Sequence, residues 1–324
     1  MNLSGGVCLV IGGAGFIGSH VVSYLLMEDV KEVRVFDNMT RGSLGNLRES
    51  LGDKRCRLYQ NGGDIRDLDV LNDAMQGVDY VFHLAAMWLL HCKDFPRTAF
   101  SVNTEGTFNV LEACAKNKVK RLIYSSSASV YGNAKVVPMT EDHPLDNCNF
   151  YGATKISGEA MCRAFYDRYG LDFVGLRYMN VYGVNQDQQA AYSGVIPAML
   201  NQIDAQKAPI VNGDGGQAYD FIDVRDVARC NVAALKAPRV DEFYNVGTGV
   251  QTSIRELCNM ILELKESNLK VTYKPYSEDD VRGIVQNRIG CTIKAKHQLN
   301  FEYEVDLERG LRDLIAWRNP SLLQ

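Results

Sequence analysis

The sequence predicts an α/β fold in which helices cover both faces of a doubly wound parallel sheet. Short apolar runs alternate with segments of helical period through the first half of the chain, beginning with Val7–Ile11 and Ser19–Met27. Alternation at this spacing is typical of parallel strands joined by helices. The turn between these first two segments is glycine-rich, and the rhythm breaks after about residue 178. We therefore expect a sheet domain and a smaller, mostly C-terminal α/β cap.

The other predicted elements follow from apolar runs bounded by turn residues and from apolar residues at helical spacing. Strands are predicted at Val33–Asp37, Tyr80–Ala86, Arg121–Ser126, Phe173–Arg177 and Phe243–Gly247. Helices are predicted at Asn103–Lys116, Thr154–Tyr169, Leu257–Leu264 and Leu307–Trp317. Because a strand reappears after the irregular region, the chain is expected to leave the sheet domain and re-enter it. Residues 1–177 and 221–250 are assigned to the sheet domain, and residues 178–220 and 251–324 to the cap.

Composition and charge argue against several classes of partner. The 324 residues carry a formal net charge of −4 with no basic stripe, which disfavours binding to nucleic acid or an anionic membrane by bulk electrostatics. No run is long enough to span a membrane and no leader pattern begins the chain, so a soluble cytoplasmic protein is expected. The nine cysteines include no Cys-x-x-Cys pair and several lie in apolar runs, which predicts reduced core cysteines and no metal site.

The turn Gly12–Gly18 has the properties of a dinucleotide site, because it directly follows an apolar strand and opens a helix. Residues without a Cβ atom let backbone amides approach a pyrophosphate at the positive end of that helix. A carboxylate for the ribose hydroxyls is expected about 20 residues further on, and Asp37 ends the second strand there. A carboxylate repels the additional phosphate of NADP, so NAD is favoured even though Arg41 lies nearby. A tight turn that binds no ligand is the alternative.

A second pattern points to proton transfer. Tyr151 and Lys155 are four residues apart at the start of a helical segment, so their side chains lie on one face. An adjacent ammonium favours the phenolate, which lowers the pKa of the tyrosine and makes it a general base toward an alcohol. The strand Arg121–Ser126 runs into hydroxyl residues, of which Ser127 could bind the same substrate oxygen. An exposed aromatic beside a solvated lysine and a polar serine turn are the alternatives.

With these motifs in this order, the sequence resembles the extended short-chain dehydrogenase/reductase family, and within it the nucleotide-sugar epimerases and dehydratases. The matching segments cover nearly the whole chain and are Gly12–Gly18, Asp37-Asn38, Gly63–Ile65, His83–Ala86, Asn103, Tyr124–Gly132, Tyr151–Lys155, Leu176–Gly183, Gly213–Val227 and Tyr244–Gly247. The resemblance implies a Rossmann-type sheet with a substrate-binding cap, NAD as cofactor, and a nucleotide diphosphate sugar, a UDP-sugar in particular, as substrate. It also implies a homodimer in which Asn103–Lys116 and Thr154–Tyr169 of each subunit form a four-helix bundle.

The resemblance also assigns roles to individual positions. The catalytic positions are occupied by Ser127, Tyr151 and Lys155. The residues expected to hold the cofactor are Gly12, Gly15, Phe16, Ile17, Gly18, Asp37, Asn38, Asp64, Ile65, Leu84, Ala85, Ala86, Asn103, Ser125, Tyr151, Lys155 and Tyr178. Those expected at the substrate are Trp88, Ser127, Asn180, Tyr219, Arg282 and Arg288. Within these sets, Asp64 is expected at the adenine amino group, Tyr178 near the nicotinamide, and Asn103 beneath the cofactor turn.

The residues after the catalytic serine distinguish the reactions of the family. The 4,6-dehydratases carry Asp-Glu there, the related decarboxylases keep a glutamate at the second position, and the 3,5-epimerases carry a cysteine at that position. Here the two positions hold Ala128 and Ser129, which cannot exchange protons at neutral pH. The remaining machinery can oxidise the sugar at C4, let the keto-sugar rotate, and return the hydride to the opposite face. This predicts an NAD-dependent nucleotide-sugar 4-epimerase, with a dehydrogenase or 4-keto reductase, a 4,6-dehydratase, and a non-catalytic NAD-binding protein as alternatives.

The chain departs from the family pattern at positions where family members contact the substrate. Family members often carry a phosphate-gripping arginine where this chain has Tyr219, and Arg282 or Arg288 could compensate. Arg288 also falls close to the position that gates sugar size in 4-epimerases, so its charge suggests a selected substituent such as an acid. A surface arginine is the alternative. Trp88 could stack on a sugar ring and His91 could bind a hydroxyl, or this apolar run packs in the core.

Overall fold

The computed structural model describes residues 3–187, 194–276 and 285–319. Its strands are, in chain order, β1 Val7–Ile11, β2 Glu32–Phe36, β3 Cys56–Leu58, β4 Tyr80–His83, β5 Arg121–Ser127, β6 Phe173–Tyr178, β7 Asn180–Tyr182, β8 Ile210–Asn212, β9 Ala218–Tyr219, β10 Phe221–Asp223, β11 Glu242–Val246, β12 Thr252–Ser253, β13 Thr272–Lys274 and β14 Asn287–Arg288. Its α-helices are α1 Phe16–Leu26, α2 Leu68–Ala74, α3 Leu89–Asp94, α4 Pro96–Ala99, α5 Gly106–Lys116, α6 Phe150–Tyr169, α7 Val195–Asp204, α8 Val224–Lys236, α9 Ile254–Leu264, α10 Ile293–Leu299 and α11 Leu307–Arg318.

Seven strands form one parallel sheet in the order β3-β2-β1-β4-β5-β6-β11. Every residue of β1 is buried, as expected for a central strand whose two faces are covered by helices. The strand order reverses between β1 and β4, and the crevice at such a switch point is where ligands bind in doubly wound sheets. The predicted fold class, a Rossmann-type sheet, is therefore confirmed.

Helices cover the two faces of this sheet. Helix α1 packs with α8 on one face, while α5 packs with α2 and α6 on the other. A third apolar core, which includes Leu200, Leu257 and Leu314, joins α7, α9 and α11 apart from the two sheet cores. Most of this core lies in the region assigned to the cap, but it also includes Phe221 from the range assigned to the sheet domain. The exact domain boundaries stay a prediction.

Several element boundaries differ from the sequence prediction, and two of these differences bear on the site. The strand predicted to reach Ala86 ends at His83, because the N–H groups of Leu84 and Ala85 both donate to Ile11 O, at 2.9 and 3.1 Å. The chain therefore bends toward the end of β1 and the glycine turn. The helix predicted from Thr154 already begins at Phe150, where the Asn149 carboxamide accepts a hydrogen bond from Gly152 N–H at 2.8 Å.

The composition of the chain also led to expectations about its cysteines, metal sites and membrane spans. All nine cysteines are described and free, and seven of them are buried. Across residues 3–187, 194–276 and 285–319, no cluster of metal-ligating side chains and no helix able to span a membrane is found. The cytoplasmic location stays a prediction.

Candidate active site

A single continuous cleft of about 2070 Å³ lies at the carboxyl ends of the central strands. Its volume is well above the roughly 300–1,000 Å³ of a typical ligand pocket, so it can hold two ligands side by side. The predicted site residues that line it are Gly12, Gly15, Phe16, Ile17, Gly18, Asp37, Asn38, Asp64, Ile65, Leu84, Ala85, Ala86, Trp88, Ser125, Ser127, Tyr151, Lys155, Tyr178, Asn180, Tyr219 and Arg288. Asn103 lies behind the lining, and Arg282 lies outside the described residues.

The glycine turn leaves no room for a side chain at Gly12 or Gly18. Gly12 has φ +82°, and a Cβ atom there would lie 2.7 Å from Ala85 N. A Cβ atom on Gly18 would lie 2.0 Å from Gly12 O, so the helix can approach the strand only with glycine at that position. Helix α1 follows at Phe16, and no side chain caps its N-terminus. The unpaired amides of its first turn therefore face the cleft, where an anionic group can accept their hydrogen bonds.

Substitution of Gly12 by alanine is expected to abolish stoichiometric binding of a dinucleotide. The added Cβ atom meets the Ala85 backbone in a conformation that side chains rarely adopt, so the turn must shift. Calorimetric titration of the purified protein measures the loss. Gly5→Ala is the matched control, because Gly5 has φ +71° but open space around its Cβ position. Full binding by Gly12→Ala would contradict the assignment of this turn.

The carboxylate of Asp37 is fixed at the edge of the turn. Its two oxygens accept hydrogen bonds from Ala14 N and Met39 N, each at 2.9 Å, and burial raises its pKa. The nearby Arg41 pairs with Asp187 at 3.0 Å and lies over the Trp88 ring at 4.9 Å. This guanidinium is therefore engaged with Asp187 and Trp88 and, among the described residues, does not pair with Asp37. The arrangement favours NAD over NADP.

Asp64 and Asn103 each bond to neighbouring protein groups. Arg66 pairs with Asp64 at 2.5 Å, and the predicted contact of Asp64 with adenine stays a prediction. Asn103 lies in a π-helical segment, Phe100–Glu105, that leads into α5. Its carboxamide accepts from Met87 N at 2.7 Å, donates to Met87 O at 2.9 Å, and donates to Thr154 Oγ1 at 3.1 Å. It therefore ties the chain after β4 to the helix that carries Tyr151.

Tyr151, Lys155 and Ser127 meet in the middle of the cleft. Lys155 is buried, and its ammonium donates to Ser125 O at 2.7 Å and lies 5.6 Å from the Tyr151 ring centroid. Burial lowers the pKa of Lys155 to about 8, so the side chain is still mostly protonated at neutral pH. Ser127, at the end of β5, faces the Tyr151 phenol and lowers its pKa by hydrogen bonding.

The expectation of a lowered pKa for Tyr151 is wrong for the protein by itself. Burial raises that pKa to about 12, and this effect outweighs the opposing contributions of Ser127 and Arg288. Desolvation disfavours the charged phenolate strongly, and the Lys155 ammonium lies 5.6 Å from the centre of the Tyr151 ring. The proton therefore stays on the phenol until another group in the cleft favours its departure.

A hydrogen-bond chain that the sequence did not predict supports the β5 and β6 ends. The hydroxyls of Ser125 and Tyr178 lie 2.9 Å apart, and Tyr178 OH donates to Asn231 Oδ1 at 3.0 Å. Asn231 is fully buried in α8, and its amide donates to Val227 O at 2.8 Å. The one signal in the sequence that could have indicated this hydrogen-bond chain was an asparagine within an otherwise apolar helix face.

His83 lies outside the cleft lining, and its ring forms a hydrogen bond with Thr107 Oγ1 at 2.9 Å.

The residues predicted at the substrate lie along the rest of the cleft. Asn180 begins β7, and the Tyr219 hydroxyl donates to Val285 O at 2.8 Å. The guanidinium of Arg41 lies over the Trp88 ring, and the buried Nε1 atom of Trp88 has no hydrogen-bond partner among the described residues. Arg288 is 9% exposed and is the Cα partner of Tyr219 between β14 and β9.

Comparison with known proteins agrees with this geometry. The profile of the NAD dependent epimerase/dehydratase family matches residues 8–247, which is most of the chain. This chain belongs to that family. The predicted resemblance to extended short-chain dehydrogenases/reductases is thereby confirmed, and so is NAD as the cofactor of this epimerase/dehydratase.

Solved structures similar to this epimerase/dehydratase include members of both reaction types. A UDP-N-acetylglucosamine 4-epimerase from Methanobrevibacter ruminantium in complex with UDP-N-acetylmuramic acid has a TM-score of 0.90 at 31% identity, over 99% of this chain and 100% of that one. A UDP-glucose 4-epimerase from Thermotoga maritima with UDP-glucose has a TM-score of 0.89 at 32% identity, over 98% and 99%. A dTDP-glucose 4,6-dehydratase from Streptomyces venezuelae with NAD bound has a TM-score of 0.89 at 28% identity, over 98% of each chain.

The residues of this epimerase/dehydratase fit the cofactor of its family. The Cβ-free turn and the open end of α1 suit a pyrophosphate, and the fixed carboxylate of Asp37 suits a ribose diol. Lys155 and Tyr178 line the same cleft further along, toward the middle of the sheet.

Proposed function

We propose that this protein is an NAD-dependent nucleotide-sugar 4-epimerase. The observation that carries the proposal is the meeting of Ser127, Tyr151 and Lys155 in a cleft whose carboxylates all lie elsewhere. Among the described residues, the acids that line the cleft are Asp37, Asp64 and Asp187, and each already bonds to a protein group as given above. Elimination of water needs an additional acid and base at the sugar, whereas epimerisation does not.

The chain's own residues handle the proton in this reaction. With its own proton released to solvent in the cleft, the Tyr151 phenolate accepts the proton of the C4 hydroxyl, and Ser127 hydrogen-bonds the same oxygen. Lys155, held by Ser125 O, keeps a positive charge near the phenol and favours its deprotonated form. NAD, when bound, supplies the oxidant that takes a hydride from C4 and returns it to the opposite face. Ala128 and Ser129 are buried beside Ser127 and offer no group for a second proton transfer.

The proposal is tested with UDP-glucose, UDP-N-acetylglucosamine and UDP-glucuronate and no added cofactor. NMR is expected to detect the C4 epimer of at least one of them, while the absorbance at 340 nm stays constant. A stoichiometric change at 340 nm would instead indicate a dehydrogenase or 4-keto reductase, and loss of water would indicate a 4,6-dehydratase. Retained NAD with no turnover on any of the sugars would favour a non-catalytic NAD-binding protein.

We further propose that residues 178–220 and 251–324 form the cap that binds the sugar nucleotide, a UDP-sugar in particular. Asn180, Tyr219 and Arg288 come from these ranges and line the same cleft as the glycine turn. The UDP-sugars in the two similar epimerase structures support this choice of ligand.

A homodimer through α5 and α6 is the proposed assembly. Strongly exposed aromatic residues on or beside these helices include Phe100 at 61%, Phe108 at 45% and Tyr169 at 62%. Exposed apolar patches of this kind mark association surfaces. Analytical ultracentrifugation is expected to find a dimer for the wild type and a monomer for the Phe100→Asp/Phe108→Asp variant. Phe95→Asp is the control, since Phe95 is also exposed but lies just before α4 and not on α5 or α6. A monomeric wild type would contradict the proposal.

A further inference from the structure

Arg41 connects segments that come from different parts of the chain. It lies in the loop after β2, and its guanidinium carbon is 4.9 Å from the ring centroid of Trp88, which follows β4 and directly precedes α3. The same guanidinium pairs at 3.0 Å with Asp187, which lies beyond β7. All three residues line the cleft. Arg41 therefore joins three separate segments of the cleft wall.

The order of the strands shows what the contact between Arg41 and Trp88 passes over. Strands β2 and β4 flank β1, and the three strands are parallel, so their carboxyl ends lie at one edge of the sheet. A contact between the loop after β2 and the segment after β4 therefore crosses the carboxyl end of β1. The glycine turn begins at that end with Gly12, and the uncapped N-terminus of α1 follows it. The contact thus spans the position that suits the diphosphate of the cofactor.

The segment that carries Asp187 is fixed to the helix that follows the glycine turn. The His20 ring forms a hydrogen bond with Val184 O at 2.9 Å, and Asn185 Nδ2 donates to Ser19 Oγ at 3.1 Å. Ser19 and His20 lie in the first half of α1. One end of the bridge formed by Arg41 is therefore anchored to the same helix whose N-terminus is available to the diphosphate.

Each contact of Arg41 is weak when it is considered alone. The side chains of Arg41 and Asp187 are 36% and 38% exposed, and an ion pair with this exposure contributes little to the stability of a fold. A guanidinium over an indole ring also contributes modestly at a partly exposed site. The location of these contacts gives them another consequence, because both must separate before a dinucleotide beneath them can leave.

We propose that Arg41 bridges the cleft over the diphosphate of bound NAD and retains the cofactor in the protein. The side chain holds the bridge closed through Trp88 and Asp187, while the amides at the start of α1 remain the hydrogen-bond donors to the diphosphate. This inference concerns the NAD site and does not depend on the reaction at the sugar, so its test needs no sugar.

The test measures the release of NAD from the holoprotein. Protein loaded with NAD is mixed with an excess of isotope-labelled NAD, and the bound fraction of each form is followed by mass spectrometry. Release is expected to be about 5- to 20-fold faster from Arg41→Gln, because the ion pair and the cation–π contact are both lost. Asp187→Asn removes only the ion pair and should give a smaller increase. Arg41→Lys keeps a cation and should release NAD more slowly than Arg41→Gln.

Lys236→Gln is the matched control. Lys236 and Glu28 form an ion pair at 2.6 Å with a similar exposure, 41% and 29%, and neither residue lines the described cleft. This variant should release NAD at the wild-type rate. Higher ionic strength should accelerate release from the wild type more than from Arg41→Gln, because salt screens the half-exposed pair.

Two results would overturn the proposal. If NAD leaves Arg41→Gln at the wild-type rate, the bridge does not retain the cofactor. If Lys236→Gln accelerates release as much as Arg41→Gln does, a general loosening of the fold explains the effect. The melting temperature of each variant verifies that it is folded before the release is measured.

Discussion

Replacement of Tyr151 by phenylalanine is expected to lower kcat for C4 epimerisation by about 10²- to 10⁴-fold, the range that a positioned general base contributes. The ring stays in place, so the shape of the cleft is preserved and only the group that accepts the proton is lost. Ser127 hydrogen-bonds the same region but cannot replace the phenol, because an aliphatic hydroxyl is a far weaker acid. NAD is expected to remain bound, since the glycine turn and Asp37 are untouched.

The rate is measured by NMR with the best substrate found for the wild type, and bound NAD is quantified after denaturation. Tyr169→Phe is the matched control, because Tyr169 lies at the end of the same helix with its side chain 62% exposed. This control should turn over at the wild-type rate. Turnover by Tyr151→Phe within a few-fold of the wild type would show that another group accepts the proton.

Replacement of Arg177 by methionine is expected to reduce the free energy of unfolding by about 3–5 kcal/mol, as when one partner of a buried ion pair is removed. Arg177 and Glu159 are only 6% and 5% exposed in their side chains, and they share bonds of 2.7 and 2.9 Å. Arg177 also donates to Tyr131 OH at 2.9 Å, and Glu159 accepts from Ser126 Oγ at 2.5 Å. Without the guanidinium, the Glu159 carboxylate stays buried next to the catalytic strand with too few partners.

Urea denaturation of both proteins measures this change. Arg312→Met is the matched control, since the Glu308–Arg312 pair is 56% and 62% exposed and should contribute less than about 0.5 kcal/mol. The double variant Arg177→Met/Glu159→Met is expected to recover much of the lost stability, because no buried charge is then left unpaired. A loss below about 1 kcal/mol for Arg177→Met would mean that water reaches the Glu159 carboxylate.

Several features could be predicted because they depend on residues close together in the sequence. The turn needs positive φ at Gly12 and no Cβ atom at Gly12 or Gly18, and both requirements follow from residue type. The spacing of Tyr151 and Lys155 places them on one face of a helix wherever that helix packs. The alternation of strands and helices gave the fold class, since apolar periodicity reflects which faces must be buried. Element ends were less certain, as the early end of β4 at His83 shows.

The tertiary structure alone decided what surrounds each of these residues. The adjacency of Arg288 to Tyr219, and the contact of Tyr178 with Asn231, join positions more than 50 residues apart through strand pairing and helix packing. The pKa values of Tyr151 and Lys155 shift because the folded chain removes water from both groups. Desolvation depends on every neighbour at once, whereas the sequence displays only the local ones. The sequence therefore determined which groups are available for catalysis, and the fold determined their charges and their partners.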